Sequence, residues 1–489
     1  MRLSVYLFFL LLYLATTAGH IYTIDSYLNY AVTAAICDHG RLSLPRTMMT
    51  VEGREGRNYS KLGIGQSLAN IPLYLLGKAV ERLSPGAPVF RAYSSRFYIA
   101  HGGRLVTAEP QSLIGISDRD GAAVLFTTLT NALVAAAVCL LFFMLLQSFG
   151  LSAYASLLGT VLLGFATPLW VYSRDLFGEP TFAASLLGSF YFVAGPGKQP
   201  SPRRAAAAGG LSALGILTRM SFAPIVALFA FYFVFAGKDR VKGISLALLY
   251  SLFALGGLIV VGILNWVRFE SILASGYHTA FDRGFSFPFI RGIGHNLFSP
   301  YRSVFLYAPA ALLFFAGVGF FARVHRVRLL LIASIVIYMF AIYSRWWAWH
   351  GGWCWGPRFY VPIVPILMLP GLVYIGRAGR QWLVWAALVL GIVGAAVQAG
   401  AVCINYTAVY DYWIKIGRLD WAEVDIHLFS PITTHWKAML STPPSHYDLY
   451  MIQGAPRAGP GFIVAIAALG VALFFVILRL RRELDRARA

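Results

Sequence analysis

Apolar runs separated by short basic clusters recur along the chain. They cover residues 3–19, 121–147, 153–171, 181–195, 205–236, 243–266, 303–322, 329–344, 360–376, 382–403 and 461–479. Runs of about 18–22 residues are long enough to cross a bilayer as helix at about 1.5 Å per residue. The pattern therefore predicts an all-α integral membrane protein. A cleaved signal peptide over 1–18 is the competing assignment for the first run, because "TTA" resembles a small-residue cleavage site. A charged leader of Arg2 alone argues against it.

The run at 205–236 decides the topology. As one crossing it would place "RVHRVR" (323–328), "GRAGR" (376–380) and the tail "RLRRELDRARA" (479–489) outside. As a hairpin of two short helices it puts all three inside, with "KQPSPRR" (198–204) and "KDRVK" (238–242). Basic residues in short loops are retained in the cytoplasm, and "LTRMSFAP" (217–224) offers an Arg and a Pro at which to break. The hairpin gives about 12 transmembrane helices with both termini cytoplasmic. Residues 20–120, 171–180, 267–302, 344–359 and 404–460 then face the periplasmic or extracellular side. Three parts follow: a transmembrane catalytic module over 1–403, whose long external loop 20–120 carries interfacial helices; a small external segment over 404–460; and a last helix with a basic tail over 461–489.

Composition sharpens this picture. The chain is 58% hydrophobic and 12% charged, with mean hydropathy +0.67, too little charge for a soluble surface on 489 residues. The net charge of +20 sits in clusters between apolar runs, which fits the positive-inside rule rather than nucleic acid. Cys37, Cys139, Cys354 and Cys403 form no CxxC pair, so neither a zinc framework nor a disulfide scaffold is indicated.

The external segments hold the unusual chemistry. Asp25, just past the first run and ahead of a helical pattern from Tyr27 to Cys37, is either a general base on an acceptor hydroxyl or a helix N-cap. "GRNYSKLGIGQSLANIPLYLLG" (56–77) carries Tyr59 and Lys61 ahead of Leu62, Leu68, Ile71, Leu75 and Leu76, an interfacial helix in the making. Lys61 either meets a lipid phosphate or snorkels. "SRDLFGEP" (173–180) brings Arg174, Asp175 and Glu179 to a helix-pair tip, where a second acid either orients an acceptor or a metal or pairs with Arg174. Arg302, in the first turn after Ser299–Pro300, suits phosphate through its bidentate fork.

"RWWAWHGGWCWGPRF" (345–359) concentrates five of the twelve tryptophans. An interfacial belt accounts for two or three of them. Gly351, Gly352 and "GPR" demand a tight backbone course instead. His350 and Cys354, four apart, make a poor metal pair. Indoles such as Trp349 and Trp353 beside Arg345 and Arg358 suit a sugar stacked on a ring with its phosphate on a guanidinium.

Taken in order, these segments resemble the GT-C glycosyltransferases that use polyprenyl-phosphate sugars, such as protein O-mannosyltransferases and lipid A aminoarabinose transferase. "IDSYLNYAVTAAICDHGRL" is similar to the first-loop "D-E-x-x-Y … G" segment, with Ser26 in place of Glu. "NYSKLGIGQSLANIPLYLLG" resembles "Y-x-K-x-P-L-G", with Gly63 and Ile64 where a proline is common. "RDLFGEP" and "LGILTRMSFAP" resemble the acidic second loop and its hairpin, the latter carrying Arg219. The aromatic loop is similar to segments of bacterial phospholipid-carrier-dependent glycosyltransferases.

The resemblance implies Asp25 as acceptor base, Glu179 or Asp175 as second acid, and phosphate-binding cations among Lys61, Arg302, Arg345 and Arg358. It further implies Tyr59, Arg219, His350, Trp349 and Trp353 against substrate, and an inverting transfer onto a glycan, lipid or protein hydroxyl of the cell envelope. No metal or other cofactor is required, although a divalent ion stays open. The alternatives are an O-antigen ligase or polymerase taking polyprenyl-diphosphate glycans, and a lipid-linked-sugar transporter or flippase.

Overall fold

The structure, a computed structural model, describes residues 1–21, 23–47, 49–87, 90, 97–101, 104–108, 121–195, 200–277, 283–415, 430–453 and 460–488. Helix α1 (Arg2–Ala15) leads into α2 (Ile24–His39). A small antiparallel sheet of β1 (Ser43–Leu44), β2 (Thr50–Glu52) and β3 (Asn58–Ser60) follows, with β3 central. Then come α3 (Gly65–Leu83) and the hairpin of β4 (Phe97–His101) and β5 (Arg104–Ala108). Among the described residues every later element is a helix: α4 (Ala122–Thr128), α5 (Thr130–Ser148), α6 (Ala153–Phe165), α7 (Leu169–Tyr172), α8 (Glu179–Ala194), α9 (Pro202–Thr218), α10 (Ala223–Ala236) and α11 (Arg240–Phe269). The second half carries α12 (Phe289–Phe298), α13 (Val304–Tyr307), α14 (Leu313–Val324), α15 (Arg326–Arg345), α16 (Val364–Ala378), α17 (Gln381–Cys403), α18 (Tyr406–Lys415), α19 (Pro431–Ser441), α20 (Tyr450–Gln453) and a last helix, Pro460–Arg488.

Among the described residues six helices are long and apolar enough to cross a membrane, and four further apolar helices are shorter. The expected dozen crossings exceeds these ten helices, four of which are short. Two of them are short for a visible reason: the 153–171 run stops at Phe165, just before Thr167–Pro168, and the 303–322 run is broken at Pro309. The decisive run at 205–236 is two helices, α9 and α10. They part at Arg219, whose extended backbone (φ −160°, ψ 126°) ends α9. One apolar core joins α1, α5, α6, α8 to α11 and α14 to α17.

The basic clusters gather at one end of this bundle. Arg204 donates to the Tyr191 and Phe192 carbonyls, and Arg328 to Ala194, all in the last turn of α8. Arg377 donates to Phe149 just past α5. These guanidiniums satisfy carbonyls that a helix C-terminus leaves unpaired, and they complement its dipole. Ser4 donates to Glu483 at 2.7 Å, so the start of α1 and the end of the last helix lie at the same end.

Helix α3 turns its chemistry inside out. Gln66, Ser67, Asn70 and Tyr74 are buried, whereas Leu68, Leu75, Leu76 and Leu83 are exposed. Water would reverse that arrangement; a lipid boundary favours it, as expected for an interfacial helix.

Described residues within 404–415 and 430–453 dock on the loops at the far end. Asp448, fully buried, accepts from His20 at 2.7 Å and pairs with the equally buried Arg174 at 3.4 Å. Arg174 also donates to the carbonyls of Thr16 (2.6 Å), Ala401 (3.0 Å) and Asp448. Its pairing with Asp175 or Glu179, one of the sequence alternatives, is not observed; its acid lies 274 residues away. Removing one member of a buried ion pair strands the other charge, at about 3–5 kcal/mol. Asp448→Ala is accordingly expected to lower unfolding stability by roughly 3 kcal/mol and to speed proteolysis within 430–453, readable by denaturation in detergent and limited digestion; wild-type behaviour in both would contradict this docking.

Candidate functional site

The far end of the bundle gathers acids and guanidiniums from four separate segments. Thr23, not Asp25, caps α2: its hydroxyl accepts from the Ser26 N–H. The N-cap alternative for Asp25 is thereby corrected. Asp25 lies in the first turn, where a carboxylate suits the helix dipole, and its Oδ2 is 2.5 Å from Arg358 Nη1. The Arg358 Nε lies 2.6 Å from Glu179 Oε1. Arg219 Nη2 reaches the same oxygen, also at 2.6 Å. Thus Arg358 bridges the two acids, and Glu179 holds two guanidiniums.

Local backbone explains each placement. Glu179 opens α8 beside Pro180, a residue suited to a first turn. Arg219 is free to turn because the helix breaks there. Gly63 and Gly65 allow that break to approach α3: a Cβ on either would strike the Leu217 or Thr218 backbone. Gly63 is, with Ile64, where the sequence resemblance commonly has a proline. Gly351 and Gly356 take positive φ (77° and 56°), and a Cβ on Gly356 would enter the Tyr307 ring. The tight "GPR" turn delivers Arg358 to the acids.

Rings line the cluster. Arg358 lies over Phe177 (4.2 Å) and Arg219 over Phe359 (5.1 Å), each close enough for a cation–π contact. Tyr343 stacks on Phe359 at 4.3 Å. Exposed Tyr277 lies in electrostatic reach of Arg219, Asp25 and Arg358, and the Lys61 ammonium sits 5.3 Å from its ring centre. Arg268 fixes the strand end before Lys61 by donating to the Ser60 carbonyl at 2.9 Å. Tyr59 is buried against Phe269.

Asp175 stands apart from this hub. It is buried, accepting from Thr23 (3.1 Å), the Leu176 N–H (2.8 Å) and Tyr406 (3.4 Å). Burial pushes its carboxyl up to about 6 against the pull of these donors and of Ser26. The loop beneath it is held by side-chain amides: Asn131 donates to the Asp175 and Phe177 carbonyls, Asn29 to Leu176, and Gln66 to Asn131.

Several expected ligands serve the scaffold. Arg302 is buried, donating to the carbonyls of His350 (2.6 Å), Gly352 (2.9 Å) and Cys354 (3.1 Å) and to the Tyr410 hydroxyl (3.0 Å). Its guanidinium is spent bracing the aromatic loop. Arg345 is exposed and donates to the Phe285 carbonyl. His350 Nδ1 accepts from the Gly352 N–H, and burial beside Arg302 pulls its imidazole down to about 3, so it stays neutral. Trp349 is buried on His295 at 4.7 Å, Trp355 donates to Gln398, and Trp353 is half-buried against the same aromatic core. Among the described residues no three His, Cys, Asp or Glu converge as a metal site. Between Asp25 and Glu179 the chain's own guanidinium stands where a divalent ion would bridge, so these residues do not fit one.

The sequence signals missed Phe177, Tyr277, Tyr343, Phe359 and the amide cradle. Only "YSRWW" and "PRFY", adjoining the named arginines, carried a hint of the rings.

No family model matches the chain. No curated protein matches it either. Solved structures of an Archaeoglobus fulgidus oligosaccharyltransferase share its course. One, in complex with zinc and sulfate, gives a TM-score of 0.42 at 10% identity over 81% of this chain and 52% of that one. A second, AglB with an inhibitory peptide and a dolichol-phosphate, gives 0.42 at 10% over 91% and 64%. A third, tethered to an acceptor peptide, gives 0.40 at 11% over 91% and 63%. The chain spans between about half and two thirds of those chains' length.

Asp175 yields a pH signature. Its folded value is raised above the ordinary 3.8, so the folded state holds the proton more tightly. The stability it contributes is full below about pH 4, falls as pH rises to about 6, and is flat above; two units correspond to about 3 kcal/mol. Asp175→Asn should remove that slope, so the wild-type Tm advantage over the variant shrinks between pH 4.5 and 7. A constant difference across that window would contradict the assignment.

Proposed function

We propose that the chain is an integral-membrane glycosyltransferase that moves a sugar from a polyprenyl-phosphate donor to an acceptor hydroxyl. The observation that carries this is one cluster in which Asp25 and Glu179 share Arg358, flanked by Arg219, Lys61 and stacking rings. Acids for proton transfer, cations for a leaving phosphate and aromatic faces for a sugar are the three requirements of that chemistry. The outward leucines of α3 support a position beside lipid, where a lipid-borne donor arrives.

In the transfer the acceptor oxygen attacks the anomeric carbon. A new C–O bond forms as the bond from that carbon to the phosphate oxygen breaks, and the electron pair leaves with the lipid phosphate. The hydroxyl proton passes to Asp25, whose side chain keeps a narrow exposed edge within reach of an incoming acceptor. Arg358, Arg219 and Lys61 stabilise the charge growing on phosphate, the role preorganised cations fill best away from bulk water. Attack opposite the leaving group inverts the anomeric centre. Glu179, held by two guanidiniums, keeps both cations in place and meets no substrate. Ring faces of Phe359 and Tyr277 suit the C–H face of the sugar. Basic residues at the opposite end of the bundle support an extracytoplasmic site under the positive-inside rule.

Purified protein incubated with a set of polyprenyl-phosphate sugars and candidate acceptors is expected to release polyprenyl phosphate. Asp25→Asn should cut that release by roughly 10²–10⁴, the usual worth of a general base, while the variant still folds, its amide oxygen remaining an acceptor for Arg358. Near-normal release by the variant contradicts the base assignment; transport of the lipid without release favours a flippase.

A further inference from the structure

We propose that Asp25 and the donor phosphate compete for Arg358, so that the base is unmasked only once the donor is seated. This rests on the glycosyltransferase reading above. Among the described residues the Asp25 carboxylate has one ion-pair partner, Arg358, at 2.5 Å with 13% of the Asp25 side chain exposed. A carboxylate so engaged has its Oδ2 lone pairs turned to the guanidinium, not to an alcohol. The resting site therefore holds its base covered.

Arg358 cannot follow Asp25. Its Nε is fixed on Glu179, and Glu179 is fixed in turn by Arg219. The Gly351 carbonyl takes a second Nη1 hydrogen at 3.3 Å, and Phe177 lies against the guanidinium face. What the anchored guanidinium presents is its Nη1–Nη2 edge, the edge that grips phosphate bidentately. Both Nη1 hydrogens are already engaged, by Asp25 and by Gly351. A phosphate that takes this edge needs an Nη1 hydrogen, and so competes with Asp25 for that nitrogen.

Charge points the same way. Arg219 and Arg358 against Asp25 and Glu179 are balanced at neutral pH. A phosphodiester adds one negative charge, which Lys61, one ring away through Tyr277, offsets. Carboxylate and phosphate sharing one guanidinium nitrogen repel each other, so arrival of the second displaces the first. Asp25 sits in the first turn of α2, where the backbone dipole favours a carboxylate over a neutral group once the guanidinium is taken. After transfer the proton on Asp25 removes its charge, and the phosphate keeps the guanidinium until the lipid leaves. The order that follows is donor first, acceptor second.

Affinity for undecaprenyl phosphate, measured on the purified full chain in detergent, tests this without any turnover. Asp25→Asn leaves the Arg358–Glu179 pair intact and is expected to tighten binding about tenfold. In an Arg358→Gln background, or in Arg358→Lys should the neutral variant not fold, the same substitution is expected to gain less than threefold. Unchanged or weaker binding by Asp25→Asn overturns the proposal. So does an equal gain in both backgrounds, which would mean plain repulsion through space. A wild-type chain that binds no undecaprenyl phosphate overturns the glycosyltransferase reading itself, and the proposal with it.

Discussion

Arg358 joins two carboxylates that belong to different parts of the chain, Asp25 in the first turn of α2 and Glu179 at the head of α8. A guanidinium only 9% exposed is tolerable only when its charge and donors are met. Meeting them fixes three segments at once. The aromatic loop must turn tightly enough to deliver the arginine, which is why Gly351 and Gly356 take left-handed φ there. The α9–α10 break must bring Arg219 to the same oxygen, which requires the close approach permitted by Gly63 and Gly65.

The bracing around this hub uses polar groups where an apolar core would not hold position. Side-chain amides of Asn29, Gln66 and Asn131 hold the loop that precedes Glu179. Arg302 holds the aromatic loop through three backbone carbonyls and hands its remaining reach to Tyr410. Through Tyr406, Tyr410 and Asp448, the region after α17 reaches Asp175, Arg302 and Arg174. These described residues after α17 thereby brace the site.

Much of this was legible in the amino-acid order because its causes are local. The break at Arg219 follows from an Arg and a Pro inside an apolar run, and the α3 surface from the spacing of its leucines. Clustered basic residues marked one end of the bundle through their position in short loops. The remainder depends on distance along the chain that no local pattern records. Arg174 has an acid as its immediate neighbour yet pairs with Asp448, because Asp175 is turned towards Thr23 and Tyr406. Arg302 looked like a phosphate ligand by type and helix position, but three carbonyls of a loop 48–52 residues away claim its donors. Five tryptophans in one loop suggested a sugar roof. Two are core, while the rings at the guanidiniums are Phe177 and Phe359, which are unremarkable in sequence.

The central claim is that Arg358 is where a lipid phosphate meets the acids. A cryo-EM structure of the full chain in a nanodisc with undecaprenyl phosphate tests it most directly. The account predicts phosphate density within hydrogen-bonding distance of Arg358, with Lys61 or Arg219 beside it and the Asp25–Arg358 contact opened. Phosphate bound elsewhere, with that contact still closed, would contradict it.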